Sequence, residues 1–276
     1  MKTWMITGVS SGFGREMARQ LLAQGDRVIG TVRKERDAAD LLEERPDAFR
    51  REILDVTDTE AVHRVTEAVF AEEPVDVIVS NAGYGLFGAA EELSDEDIDR
   101  IIATNLTGSI QFIRSALPYF RRQRTGRIIQ ISSYGGQVAY AGNSLYHAVK
   151  FGIEGFCESV AQEMVPFGVG VTIVEPGGAR TDFRYRSAHV AHLMAAYDGN
   201  PAHAFLNMLD PANGLAPGDP ARMAAAIIES AGTDPAPLRL VLGAHAWEAT
   251  VDTLRKRLAD IDSQKESAAA ADFPKE

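Results

Sequence analysis

The sequence predicts a single-domain α/β protein with a doubly wound parallel sheet and helices on both faces. Two observations carry that prediction. Short apolar runs alternate with amphipathic stretches from the first residues to about 176. The runs are rich in Val and Ile, are bounded by Gly, Pro or polar residues, and read as buried strands. Alternation of this length implies right-handed βαβ units and a sheet covered on both sides.

In chain order the expected strands are TWMIT (3–7), RVIGTV (27–32), REIL (51–54), VDVIVS (75–80), RIIQIS (127–132) and VGVTIVEP (169–176). Between them, residues 15–25, 60–70 and 96–106 carry apolar positions at helical spacing. Gly25 stops the first helix and Asp58 starts the second. After about 182 the alternation breaks. Residues 182–218 hold scattered aromatics and methionines, 219–230 read as a helix, and LRLVLG (238–243) is a last strand. Residues 1–262 are expected to form the domain, and the polar, alanine-rich stretch 263–276 a frayed tail.

Composition narrows the class. A chain of 276 residues with 45% hydrophobic and 24% charged content is an ordinary globular composition with a sizeable core. A net charge of −11 argues against nucleic acid or an anionic membrane as the main partner. The basic run RRQRTGR (121–127) suits a helix C-terminus, where cations complement the dipole. The lone cysteine, Cys157, permits neither an intramolecular disulfide nor a cysteine zinc site, and reads as inert core. No metal site is expected. No apolar stretch is long enough to cross a membrane, and a strand beginning at Thr3 leaves no room for a signal peptide. The expected location is cytoplasmic.

The first strand runs into TGVSSGFGRE (7–16). In a strand-to-helix turn, Gly8 can make the bend, Gly12 can admit a pyrophosphate, and Gly14 can let the helix close on the strand. The helix N-terminus offers free N–H groups to phosphate. The second strand ends in Val32 rather than an acid, and Arg33, Lys34 and Arg36 follow. A guanidinium there suits a 2′-phosphate, which points to NADP(H) over NAD(H). The alternative is a solvated charge cluster at a helix start.

Tyr146 and Lys150, in SLYHAVK (144–150), stand one helical turn apart and share a face. A free tyrosine is a poor base at neutral pH, and a neighbouring ammonium is expected to lower its pKa. So tuned, Tyr146 can exchange a proton with a carbonyl oxygen. Ser133, thirteen residues upstream at the end of a buried strand, can bond the same oxygen. Ser132 reads as a turn-former. His147 is expected on another helix face, not as a base.

These segments resemble an ordered motif set. TGVSSGFG (7–14), SNAG (80–83), Asn105 in ATNLTG, ISS (131–133), YHAVK (146–150) and PGGART (176–181) are similar to the motifs of the short-chain dehydrogenase/reductase family in order and spacing. The resemblance covers roughly residues 3–182. It implies a Rossmann-like fold with seven parallel strands, a catalytic set of Asn105, Ser133, Tyr146 and Lys150, and a dimer or tetramer. It implies that Lys150 also holds the cofactor ribose and that Asn105 holds a water linking Lys150 to solvent. Cofactor contacts carry over to Gly8, Ser10, Ser11, Gly12, Phe13, Gly14, Arg33, Asp55, Val56, Asn81, Ala82, Gly83, Tyr146, Lys150, Pro176, Gly177 and Thr181. Ser80 departs from the family's usual asparagine, Phe13 from its isoleucine, and His147 is bulky for its place.

The family's specificity normally lies in the loop after the last cofactor strand. Here 182–218 supplies Phe183, Tyr185, Met194, Tyr197, Phe205, Met208 and Leu209, either as an apolar lid or as filler under a long loop. Arg184 and Arg186 are candidates for a substrate carboxylate or cofactor phosphate. Tyr84, Leu86, Phe87, Tyr134 and Tyr140 follow strand ends and can line the same pocket. Ile153, Phe156 and Val160 on the Tyr146 helix suit core or partner equally. The favoured function is an NADP(H)-dependent oxidoreductase interconverting a carbonyl and an alcohol on an apolar small molecule. The alternatives are a nucleotide-binding redox sensor and a fold relative that uses no nicotinamide.

Overall fold

The computed structural model describes residues 1–185 and 187–273, with the side chains of 184 and 185 left out. Seven strands form one all-parallel sheet: β1 (Thr3–Thr7), β2 (Arg27–Val32), β3 (Phe49–Ile53), β4 (Val77–Ser80), β6 (Gly126–Ile131), β7 (Val169–Pro176) and β9 (Arg239–Leu242). Their order is β3-β2-β1-β4-β6-β7-β9. The short strands β5 (Gly85–Phe87) and β8 (Ala188–Val190) pair separately, in parallel. The order reverses direction between β1 and β4, and in open α/β sheets the crevice at such a point receives ligands.

Helices cover both faces. On one, α3 (Thr59–Glu72), α5 (Gly108–Gln123) and α6 (Ser144–Met164) pack over a core that includes Met5, Ile78, Phe112, Phe120 and Ile128. On the other, α1 (Gly12–Gln24) and α9 (Pro220–Ser230) cover Trp4, Ile6, Val28, Val79 and Ile129. Alternate strand residues thus serve opposite cores, which is why each strand reads as continuously apolar. The remaining helices are α2 (Ala39–Glu44), α4 (Asp95–Ile101), α7 (Asp182–Tyr185), α8 (Pro201–Ala204), α10 (Ala244–Asp262) and α11 (Lys265–Ala269).

The helix signals act as expected. Gly25 caps α1 in the left-handed conformation at φ 87°, and Asp58 caps α3 by accepting from the Ala61 N–H at 2.9 Å. The basic run begins at the end of α5, where Arg124 takes a left-handed cap. Three details go beyond the reading of the sequence. The helix expected over 96–106 is α4 followed by a π-helical turn, Ile102–Thr107, that runs on into α5. Within the tail, Lys265–Ala269 forms a short exposed helix. Ile153 and Val160 are core, and Phe156 packs against them from the side. No described helix is long and apolar enough to cross a membrane.

Candidate active site

Two glycines in the turn after β1 have left-handed backbones, Gly8 at φ 75° and Gly12 at φ 57°. Gly14 is required for space: a Cβ there would come within 2.4 Å of the Gly8 carbonyl oxygen and 2.5 Å of Asn81 Nδ2. Asn81, just past β4, braces the turn by donating to the Thr7 and Gly8 carbonyls at 2.8 and 3.1 Å. The Thr7 hydroxyl accepts from the Asn81 and Ala82 N–H groups at 2.9 and 3.0 Å. Ser11 caps α1 without a side-chain hydrogen bond, and Thr181 faces Gly12 across the turn. The result is a bare, backbone-lined cradle at a helix N-terminus, and it fits a dinucleotide pyrophosphate.

Most of the other expected cofactor residues lie at or just past the carboxyl ends of the sheet strands. Val32 is buried at the end of β2, and Arg33, Lys34 and Arg36 follow on the surface. Asp55 is exposed and accepts from the Thr57 N–H and hydroxyl at 3.0 and 2.7 Å, while Val56 beside it is buried. Gly83 lies against the Asn105 side chain. Pro176 ends β7, and the Gly177 N–H bonds the Leu242 carbonyl at 2.8 Å. Phe13, half-buried in the first turn of α1, packs against the edge of the core.

Ser133 follows β6, where its Oγ accepts from the Gly135 N–H at 3.0 Å and so caps the turn Tyr134–Gly136. Tyr146 stands in the first turn of α6, with Ser133 near enough to oppose the effect of burial on its hydroxyl. Lys150 lies one turn further on, with Nζ donating to the Ile131 carbonyl at 2.9 Å and 5.6 Å from the Tyr146 ring centre. The structure therefore brings Ser133, Tyr146 and Lys150 together at the carboxyl end of β6, two strands from the glycine turn after β1.

Their protonation differs from expectation. Burial pushes the Tyr146 hydroxyl up to about 12, outweighing the lowering effect of Ser133. The residue as a whole is half-buried. Burial likewise drives Lys150 down to about 8, against the opposing pull of Glu154. Spacing shows that a cation is near, but desolvation is the larger effect here. Asn105 is buried on the π-helical turn, its amide donating to the Tyr84 carbonyl at 2.8 Å and accepting from the Tyr84 N–H at 3.1 Å. Two backbone bonds thus fix its orientation.

His147 is structural, as expected of a residue on another helix face. It is buried between the Gly135 carbonyl, 2.8 Å from Nδ1, and the Tyr140 N–H, which donates to Nε2 at 3.0 Å. One nitrogen must donate and the other accept, so the ring is held neutral, and burial lowers its pKa further. Cys157 is buried, and burial pushes its thiol up to about 12. Ser132 is more than a turn-former: its hydroxyl donates to buried Glu154 at 2.5 Å.

A wall of rings leads away from Tyr146. Phe183 lies 6.1 Å from it, while Phe205 stacks on Phe87 and Tyr140 at 6.0 and 6.1 Å. Tyr134 meets Tyr140 on one side and His245 on the other. His245, from the start of α10, was not among the expected residues; a lone histidine far along the chain carries no local signal. The segment 182–218 is built of short elements and is anchored by Glu92. That carboxylate accepts from Ala89 and Met194 N–H groups at 2.7 and 2.6 Å and meets His203 Nε2 at 2.7 Å. Tyr197 turns outward, its hydroxyl donating to Glu91 at 2.8 Å. Met194 is exposed, and Met208 and Leu209 are half-buried. Arg186 and the side chains of Arg184 and Tyr185 lie outside the described residues.

A glycine turn at the reversal point of a parallel sheet, with a serine, a tyrosine and a lysine two strands away, is the kind of site a dinucleotide-dependent oxidoreductase needs. The family model for short chain dehydrogenase matches residues 2–190, and the chain belongs to that family. Oxidoreductase BOA17 of Botryotinia fuckeliana is 34% identical over 253 residues, 90% of each chain. A short-chain dehydrogenase structure from Streptomyces avermitilis superposes with a TM-score of 0.92 at 36% identity, covering 99% of this chain and 100% of that one. The structure of ElxO with NADP bound gives 0.71 at 25% identity, over 87% and 96% of the two chains.

Proposed function

We propose that the protein is an NADP(H)-dependent oxidoreductase that interconverts a ketone or aldehyde and the corresponding alcohol on an apolar small molecule. The observation that carries this is the gathering of Ser133, Tyr146 and Lys150 at the end of β6, two strands across from the glycine turn that follows β1. The cradle residues Gly8 to Gly14, with Asn81 to Gly83 and Thr181 around them, would hold the dinucleotide, and Lys150 its ribose. A nicotinamide held there would supply or take the hydride.

The chain does the rest. Tyr146, kept protonated by burial, gives its proton to the substrate oxygen during reduction and recovers it in the reverse direction. Ser133 holds that oxygen in line. Lys150 offsets the negative charge left on the tyrosine oxygen, and Asn105 links Lys150 to solvent through a water. The Phe87, Tyr140, Phe183 and Phe205 rings exclude water and favour an apolar substrate. Arg33 after a neutral Val32 supports NADP(H), as does the NADP-bound structural relative. A cytoplasmic homodimer or homotetramer belongs to the same proposal, and light scattering on the purified chain tests the assembly.

The test is NADPH oxidation at 340 nm against ketones, aldehydes and quinones, with NADH as second cofactor and Tyr146→Phe alongside. Turnover that prefers NADPH and vanishes in the variant supports the proposal. Tight NADPH binding without turnover on any carbonyl would instead favour the redox sensor.

A further inference from the structure

Behind Ser133, Tyr146 and Lys150 lies a buried ionic network that the reaction above leaves without a role. Arg239 on β9 meets three carboxylates. Its Nη1 lies 2.6 Å from Glu154 and also bonds Glu175, and its Nη2 lies 2.6 Å from Glu158. Glu154 and Glu175 are almost wholly buried, while Glu158 reaches the surface. Burial and the nearby Glu154 charge push Glu175 up to about 7, although Arg239 opposes this. One guanidinium is thus shared among more negative charge than it can offset. Such an arrangement adds little stability over apolar packing of the same shape, so stability alone does not account for it.

Glu154 makes contacts that Glu158 and Glu175 do not. Its Oε1 accepts from the Ser132 hydroxyl at 2.5 Å, and its Oε2 accepts from the Gln137 amide. Ser132 directly precedes Ser133, and Gln137 follows the turn that Ser133 caps. The space is made to measure: a Cβ on Gly136 would come within 1.8 Å of Oε1. On α6, Glu154 follows Lys150 by one turn, and its charge opposes the burial that discourages the Lys150 ammonium. The other groups in reach are Cys157 on the same helix, held as a thiol, the neutral Ile131 carbonyl, and Tyr146 on the far side of Lys150.

We propose that Glu154 is a positioning residue for this site: it holds the Ser132–Ser133 strand end in place and keeps Lys150 charged, while Arg239 holds Glu154. The proposal rests on the site assignment above for its catalytic meaning, but the coupling between Glu154 and Lys150 can be read without any turnover. The chain has six lysines, so ¹³Cε NMR of the cofactor-free protein can follow each, with Lys150→Met identifying the signal. In the wild type one lysine titrates near 8. Glu154→Gln keeps the shape and leaves Arg239 two carboxylates, and it is expected to move that titration down by about one unit. Glu175→Gln faces the same arginine but neither Ser132 nor Gln137, and is expected to leave it in place. Glu154→Asp keeps the charge on a shorter arm, so the titration stays near 8 while kcat falls with KM little changed.

In NADPH-dependent reduction, the alkaline limb of kcat/KM should follow the same shift in Glu154→Gln. A Lys150 titration unmoved in Glu154→Gln, or moved as far in Glu175→Gln, overturns the proposal. So does a shift in Glu154→Asp equal to that in Glu154→Gln. Should the wild type reduce no carbonyl compound, the activity assignment fails, and the NMR titrations still decide the coupling.

Discussion

Asn81 Nδ2 lies 3.1 Å from the Gly8 carbonyl oxygen and clamps the glycine turn after β1 to the end of β4. Both atoms stand where a side chain on Gly14 would have to go. Gly14→Ala is therefore expected to destabilise the fold by about 1–3 kcal/mol, the usual cost of overpacking a tight site. It should also weaken NADPH binding, because the turn must open to admit the methyl group. Thermal melts and NADPH fluorescence titration check the two effects.

Tyr146→Phe removes the hydroxyl but leaves the ring and its contact with Phe183. General acid–base catalysis is worth about 10²–10⁴-fold, so kcat should fall by that order while NADPH affinity is retained. Steady-state kinetics with a binding titration separates the two.

Arg33→Ala should weaken NADPH binding about tenfold to a hundredfold, the worth of charge-assisted hydrogen bonds to a phosphate, and leave NADH binding unchanged. Equal loss for both cofactors would show that Arg33 serves the fold instead.

Buried groups make stability depend on pH in opposite senses. Lys150 titrates near 8 rather than 10.5, so between those values the unfolded chain holds a proton that the native state lacks. Stability from this group rises with pH across that window. Glu175 titrates near 7 rather than 4.5, so the native state holds the extra proton, and stability falls as pH rises from 4.5 to 7. Each window is worth on the order of 3 kcal/mol. In urea unfolding, Lys150→Met should flatten the profile between pH 8 and 10, and Glu175→Gln should flatten it between pH 5 and 7.

Glu92 joins the loop bearing Ala89 to Met194 and His203 in the segment over the site. Glu92→Gln replaces an acceptor oxygen with an amide that cannot satisfy all three partners. The covering segment should loosen: KM rises more than kcat falls, and limited proteolysis cuts faster within 182–218. Unchanged proteolysis would show that the aromatic contacts of Phe205 suffice to hold it.

The sequence by itself determined the parallel sheet and the glycine turn, and it nominated Tyr146 and Lys150, on one helix face, for the site. Those features are local: a strand buried on both faces is apolar throughout, a left-handed turn needs glycine, and residues one helical turn apart share a face. It also placed His147 and Cys157 outside the chemistry. Only the tertiary structure decided how charge is distributed around the site. Ser132 meets Glu154 across 22 residues of chain, Arg239 meets Glu154 across 85, and His203 meets Glu92 across 111. Spacing suggested that Lys150 would lower the Tyr146 pKa, but burial raises it to about 12 and brings Lys150 to about 8. Desolvation depends on everything packed around a group, and that is set by the fold as a whole rather than by any neighbouring residues in the chain.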